Sequence, residues 1–273
     1  MKKKILSVLL VAAMALSGAA CVEGKDIDRN GGGRDSAAVK SGDIMENYRV
    51  DGKGKLSGLS DKGMKADTLV VPAGYEIQVR FDFGVVKHIT FESDDDIDVT
   101  YSFANCKELE TIELPANLTK LPSFSSDESL QEITIPKNIT EIPYYSFSGC
   151  KSLESVTILG DVTSIGRAAF MNCKSLKTIK LPDSITFIDH QAFKGCEVLT
   201  EITLPSGLKE IGQLALADIG LETIIVPEDM ELDKWDTSAF GQLHPYTVKV
   251  KEGSWADVHF DEVFTKMAEK EYY

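Results

Sequence analysis

One phrase returns about every 23 residues through the second half of this chain. It is clearest in Phe147-Ser-Gly-Cys150-Lys-Ser-Leu153-Glu-Ser-Val156-Thr-Ile158, and again from Phe170 to Pro182 and from Phe193 to Pro205. A fixed period of this length specifies a solenoid, because each repeat can bury its apolar edge only against its neighbours. The same feature narrows function. A solenoid offers a long surface more readily than an enclosed catalytic pocket.

The register within the period is regular. Full repeats begin near Phe103, Phe124, Phe147, Phe170, Phe193 and Leu216, with a first step of 21 residues and then four of 23. Each carries Leu-x-x-Ile-x-Leu, as in Leu109/Ile112/Leu114, Leu176/Ile179/Leu181 and Leu199/Ile202/Leu204. The alternation at the end of that pattern predicts a strand. Proline at 115, 136, 182, 205 and 227 closes it, since proline cannot extend a sheet ladder. A second apolar pair follows, such as Ile139/Ile142 or Ile185/Ile188, and then a small-residue turn into the next Phe. One coil therefore reads as strand, turn, short second strand and a turn of helix.

Counting back from Leu109, Ile112 and Leu114 lands on Val86, Ile89 and Phe91, a degenerate first copy, with Thr68 to Pro72 more diverged still. Residues 66–102 are thus expected as an N-terminal cap of degenerate repeats and 103–247 as the repeats proper. The tail 248–273 departs from the pattern. Ser254-Trp-Ala-Asp257 resembles a helix start, and Phe260, Val263, Phe264 and Met267 fall at helical spacing. A C-terminal helical cap with Trp255 as its plug is expected.

The repeat resembles the leucine-rich repeats of the BspA-like and Treponema type, which read roughly Leu-x-x-Ile-x-Ile-Pro-x-x-Val-x-x-Ile-Gly-x-x-Ala-Phe-x-x-Cys. Phe147 to Cys196 fits almost position by position, and the resemblance covers about Val86 to Phe240. Departures are Ser125 to Asp127 where Gly-x-Cys is expected, Leu159-Gly160 in place of Leu-Pro, and Ile219 at the last Cys position. The resemblance implies a single right-handed leucine-rich-repeat solenoid. It also implies adhesion or binding to host extracellular-matrix proteins or bacterial surface proteins.

The first twenty residues are set apart. Lys2, Lys3 and Lys4 precede an uncharged apolar run from Ile5 to Leu16, too short to span a bilayer, and small residues lead to Cys21. This predicts a signal peptide over 1–20. The small-residue run ending in cysteine resembles a bacterial lipobox, although Gly18 stands where Leu, Val or Ile is usual, and it makes Cys21 the expected lipidation site. Residues 21–65, rich in glycine and without apolar periodicity, are expected as a flexible tether. Asp26 and Asp28 weakly resemble the export tags of surface lipoproteins in Bacteroides-like bacteria. The implied location is the bacterial cell envelope, as a surface-exposed outer-membrane lipoprotein.

Cleavage would remove three lysines and no acid, moving the formal charge from −14 to about −17, a surface that repels nucleic acid and anionic lipid. Nucleic acid is therefore not an expected partner, and membrane attachment would come through the lipid alone.

Residues able to do chemistry are mostly explained by packing. Cys106, Cys150, Cys173 and Cys196 share one repeat position and lack the close paired spacing of a zinc site. They are expected as buried free thiols that pack as small apolar groups. Asp94-x-Asp96-x-Asp98 begins like a calcium loop, but Val99 replaces the required glycine and Asn105 the bidentate glutamate. His88, His190, His244 and His259 lie in no catalytic motif. No cofactor, metal site or catalytic residue is nominated, and the chain is not expected to be an enzyme.

Two surfaces remain. The residues flanking the strand isoleucine point away from the core. They form a threonine-rich candidate binding face of His88, Thr90, Thr111, Glu113, Glu132, Thr134, Ser155, Thr157, Thr178, Lys180, Glu201 and Thr203. The turn Pro143-Tyr144-Tyr145 places aromatics where the next coil has Gly166-Arg167-Ala168, making Tyr144 and Tyr145 a candidate contact. Packing against Phe147 or Phe124 is the preferred account of those two rings. A non-catalytic protein-binding lipoprotein is the first reading; a carbohydrate-binding accessory lipoprotein is the alternative.

Overall fold

The computed structural model describes residues 44–75, 77, 83–96, 103–231, 234–236, 238–241, 245–264 and 267–273, apart from the side chains of Lys234 and Trp235. The expected signal peptide, Cys21, Asp98, Leu232 and His244 lie outside the described residues.

The leucine-rich phrase forms one strand per coil, and the strands stack in parallel. Thr68–Val71, His88–Phe91, Thr111–Ile112, Glu132–Ile135, Ser155–Ile158, Thr178–Ile179, Glu201–Thr203, Thr223–Ile225, Tyr246–Val250 and Ala268–Tyr272 make the first ladder. It falls into three hydrogen-bonded sections, the first break lying between Thr111–Ile112 and Glu132–Ile135, where the period is 21. Register is set by the isoleucine position: Leu69 pairs Ile89, Ile89 pairs Ile112, Ile133 pairs Val156, and Ile224 pairs Val248. All of these side chains are buried. A one-residue slip would turn the whole set outward, so the pattern admits one register.

The second apolar pair forms the other ladder. Glu141–Ile142, Ser164–Ile165, Phe187–Ile188, Glu210–Ile211 and Lys234–Trp235 pair in parallel in that order.

On the third side, the phenylalanines stack. Centroids lie 5.4 Å apart for Phe124 and Phe147, 5.2 Å for Phe147 and Phe170, and 5.2 Å for Phe170 and Phe193, with interplanar angles of 1° to 7°. Neighbouring coils sit at roughly 4.8 Å, so the rings stack offset, the arrangement their quadrupoles favour. The stack runs further back than the repeat pattern suggests, through Phe103 to Phe83. The turn two residues after Phe103, Phe124, Phe147, Phe170, Phe193 and Leu216 has positive φ, at Asn105, Ser126, Gly149, Asn172, Gly195 and Asp218, and Gly241, directly after Phe240, does too. Glycine, asparagine and aspartate tolerate that conformation best, which explains the Gly/Asn before each cysteine.

The ends differ from expectation. Within the span expected as tether, Tyr48–Val50 and Leu56–Leu59 form an antiparallel hairpin, and a 3-10 turn follows at Gly63–Lys65. Ile44, Tyr48, Leu56 and Leu59 are buried, and the Tyr48 hydroxyl donates to the Val70 carbonyl at 2.9 Å. The hairpin thus covers the first coil, with Gly52 and Gly54 in its turn.

At the other end, the helical spacing yields two short helices, Trp255–Val258 and Phe260–Val263, with Ser254 accepting the Asp257 N–H as a cap. Phe260, Val263 and Phe264 plug the core, while Trp255 is half-buried and stacks on His259. Met267 is exposed, and the chain returns as strand Ala268–Tyr272 to extend the first ladder. The helical cap is therefore minor.

Candidate functional site

The first ladder brings the expected binding face together. Glu113, Glu132, Thr134, Thr157, Thr178, Lys180, Glu201 and Thr203 are exposed, and His88, Thr90, Thr111 and Ser155 are half-buried. Glu132 pairs Ser155, Thr134 pairs Thr157, and Ser155 pairs Thr178, so the residues form two columns across the coils. His88 Nδ1 lies 2.9 Å from Thr111 Oγ1. A neighbouring column adds ion pairs between coils, Lys87 with Glu110 at 2.9 Å and Lys177 with Glu154 at 2.6 Å. These are solvent-exposed pairs, worth little individually.

The face is longer than its sequence pattern indicates. Thr247 and Lys249 pair with Thr223 and Ile225, and Glu269 and Glu271 continue the columns. Alternation in Tyr246–Val250 carries that signal, whereas the charged run Ala-Glu-Lys-Glu-Tyr hides it.

Tyr144 and Tyr145 stand at the surface beside the phenylalanine column. Phe124 and Phe147 are fully buried, while the tyrosines stand 60% and 37% exposed, with their rings edge to face at 6.1 Å. Beside Tyr144 lies a cavity of about 210 Å³. Leu121 and Pro143 supply apolar wall, Thr119, Ser123, Thr140 and Ser146 supply hydroxyl-bearing side chains, and Lys120 and Glu141 supply opposite charges. The sequence signal for it is the 21-residue step between Phe103 and Phe124.

The acidic cluster is structural. Asp94 Oδ1 accepts the Ala116 N–H at 3.1 Å, and Asp96 accepts both the Thr119 N–H and the Thr119 hydroxyl, at 2.9 and 2.6 Å. The Thr119 hydroxyl holds the Asp96 carboxyl below its ordinary range. Asp183 repeats the role of Asp94 four coils further on, accepting the Ser206 N–H at 3.1 Å. These carboxylates close the turn of the following coil. Among the described residues, no group of three or more His, Cys, Asp or Glu side chains could hold a metal ion.

The cysteines are free and buried. Three of them also have a polar role: the thiols of Cys150, Cys173 and Cys196 donate to the carbonyls of Phe124, Phe147 and Phe170 in the preceding coil, at 3.0, 3.1 and 3.2 Å. Burial raises all three thiols, Cys196 to about 12. Asp127 takes the same position in its coil. Its Oδ1 accepts the Cys106 N–H at 2.7 Å, and its Oδ2 has no hydrogen-bond partner among the described residues. Burial pushes its carboxyl up to about 9, so it is protonated at neutral pH.

The histidines are dispersed. His190 Nδ1 lies 2.6 Å from Asp189 Oδ1 on an exposed turn, and His259 Nδ1 lies 2.8 Å from the Trp255 carbonyl.

Fold and surface together define a leucine-rich-repeat solenoid with an open sheet face. The chain belongs to the BspA-type leucine-rich repeat family, whose pattern matches in six copies over residues 81–126 and 122–245, more than half of the sequence. It is similar to a leucine-rich repeat protein from Bacteroides ovatus, with 25% identity and a TM-score of 0.52 over 76% of this chain and 64% of that one. It thus spans slightly less than two thirds of the B. ovatus protein. A leucine-rich cell surface protein from Faecalibacterium prausnitzii shares the fold, with 22% identity and a TM-score of 0.52 over 75% of this chain and 68% of that one. None of the curated proteins matches the sequence.

Proposed function

We propose that this is a non-catalytic binding protein of the bacterial cell envelope, which presents the outer face of its first ladder to a protein partner. One observation carries the reading. The outward residues of the ten strands form a ribbon, lined up across the coils as columns of exposed and half-buried side chains. Repeat proteins use such extended surfaces for recognition. The F. prausnitzii relative is described as a cell surface protein, in keeping with an envelope location. The signal-like segment and Cys21 supply the means, as an outer-membrane lipoprotein facing outward. Host matrix proteins and bacterial surface proteins are the partner classes.

The test is binding of purified protein to immobilised matrix and bacterial surface proteins, with Glu132→Lys and Glu201→Lys placed on the ribbon. A saturable partner weakened by both substitutions supports the proposal. A partner that binds the double variant as tightly as wild type sinks it.

A further inference from the structure

A second site, beyond the ribbon, lies where the period changes. The coil entering Phe124 runs Leu121-Pro122-Ser123-Phe124, while the next runs Ile142-Pro143-Tyr144-Tyr145-Ser146-Phe147. Two residues are missing, and they are the counterparts of Tyr144 and Tyr145. In later coils this corner is filled by Arg167-Ala168, His190-Gln191 and Gln213-Leu214. There it is also stitched: Tyr145, Ala168 and Gln191 donate their N–H groups to the carbonyls of Arg167, His190 and Gln213. The short coil has no residue at the donating position. The deletion therefore removes one layer of an otherwise continuous corner, and the cavity beside Tyr144 is the resulting notch.

The notch is built for an amphipathic polyol. The geometry points to a site for a single pyranose ring of a saccharide, stacked on Tyr144 and hydrogen-bonded by the rim. Its volume of about 210 Å³ is below the ~300–1,000 Å³ of pockets that enclose a drug-sized ligand. Tyr144 is 60% exposed beside the notch, its ring edge to face with Tyr145, and the electron-rich face of an aromatic ring attracts the weakly positive C–H face of a sugar. Ser123 and Thr140 add hydroxyl-bearing side chains to the lining of the notch, Thr119 adds one whose proton already goes to Asp96, and Glu141 and Lys120 add a strong acceptor and a strong donor. This mixture suits a ring of hydroxyls that both donate and accept. A phosphate would need clustered cations, and the notch has one lysine with a glutamate opposite.

The test is saturation-transfer NMR on the purified protein with methyl glucoside, galactoside, mannoside and N-acetylglucosaminide, followed by an array of free oligosaccharides. The expected result is transfer to at least one sugar, strongest at its C–H face. Tyr144→Ala should weaken binding about tenfold, a change of one factor of ten in Kd, whereas Tyr144→Phe retains the ring and most of the affinity. Inserting Ala-Ala between Pro122 and Ser123 restores the 23-residue step and should abolish the response, with the fold checked by circular dichroism. If the insertion fails to fold, the two Tyr144 variants decide. No response to any saccharide overturns the inference, as does binding that survives Tyr144→Ala. So does a peptide ligand that requires Tyr144 in the absence of any saccharide response.

Discussion

Asp127 Oδ1 accepts the Cys106 N–H at 2.7 Å, and this contact sets a carboxyl between the thiols of Cys106 and Cys150 in their column. The Asp127 carboxyl is raised by burial to about 9, against about 3.9 when unfolded. Between those values the folded chain keeps a proton that the unfolded chain has lost. Stability therefore falls as pH rises through that window, by at most about 1.4 kcal/mol per pH unit, and flattens above it. Asp127→Asn keeps the acceptor for Cys106 and cannot ionise. Thermal melts from pH 5 to pH 8 should show the wild type losing stability relative to Asp127→Asn. Parallel curves would refute the buried, protonated carboxyl.

Much of this architecture is legible in the sequence, because a solenoid repeats its own packing rules. The Phe, Cys, Leu and Ile positions each become a column, and the alternation around isoleucine places Glu132, Thr134 and Thr157 on the outer face. What was hidden depends on differences between coils. The cavity beside Tyr144 lies where two residues are absent from the coil before it, a relationship visible only when adjacent coils are superposed. The hairpin at Tyr48–Leu59 escaped notice because its glycines resemble a linker and its buried residues are few and irregularly spaced. The last strand was masked by its charges, which belong to an edge.

The thiols make a second prediction. Cys150, Cys173 and Cys196 are fully buried, donate to main-chain carbonyls, and are held protonated by burial. Only thiolates react readily with alkylating reagents. In the native protein at pH 8 these cysteines should stay unmodified by iodoacetamide over hours and become fully modified in denaturant, as read by peptide mass spectrometry. Rapid native labelling of any of the three would contradict the ladder.

The phenylalanine column yields a third. Phe170 lies between Phe147 and Phe193 and is fully buried. Phe170→Ala should cost about 3–5 kcal/mol through the cavity and the lost stacking partners. Phe170→Leu should cost far less, because Leu216 already fills the same position, fully buried, one stack beyond Phe193. Urea titrations of the two variants compare them directly. Equal losses would mean that ring stacking, and not volume, dominates the column.

The fourth concerns how the solenoid stops. Along the first ladder the inward position is occupied by Ile202, Ile224 and Val248, and at the last strand by Lys270, which pairs with Val248. Its ammonium lies 2.9 Å from Asp257 Oδ1 and 4.5 Å from the Phe260 ring centroid, so the charge is satisfied where another coil would have to dock. A charged residue on the inward side of an edge strand is a recognised means of blocking edge-to-edge pairing. Flanking Glu269 and Glu271 add like charge to the same edge. Lys270→Ile would restore the apolar column and remove the block, leaving a strand edge ready to pair with a second copy. Analytical ultracentrifugation should then show association that grows with concentration, while the wild type sediments unchanged over the same range. A Lys270→Ile protein that sediments like the wild type would show that the cap helices, and not this lysine, keep the edge closed.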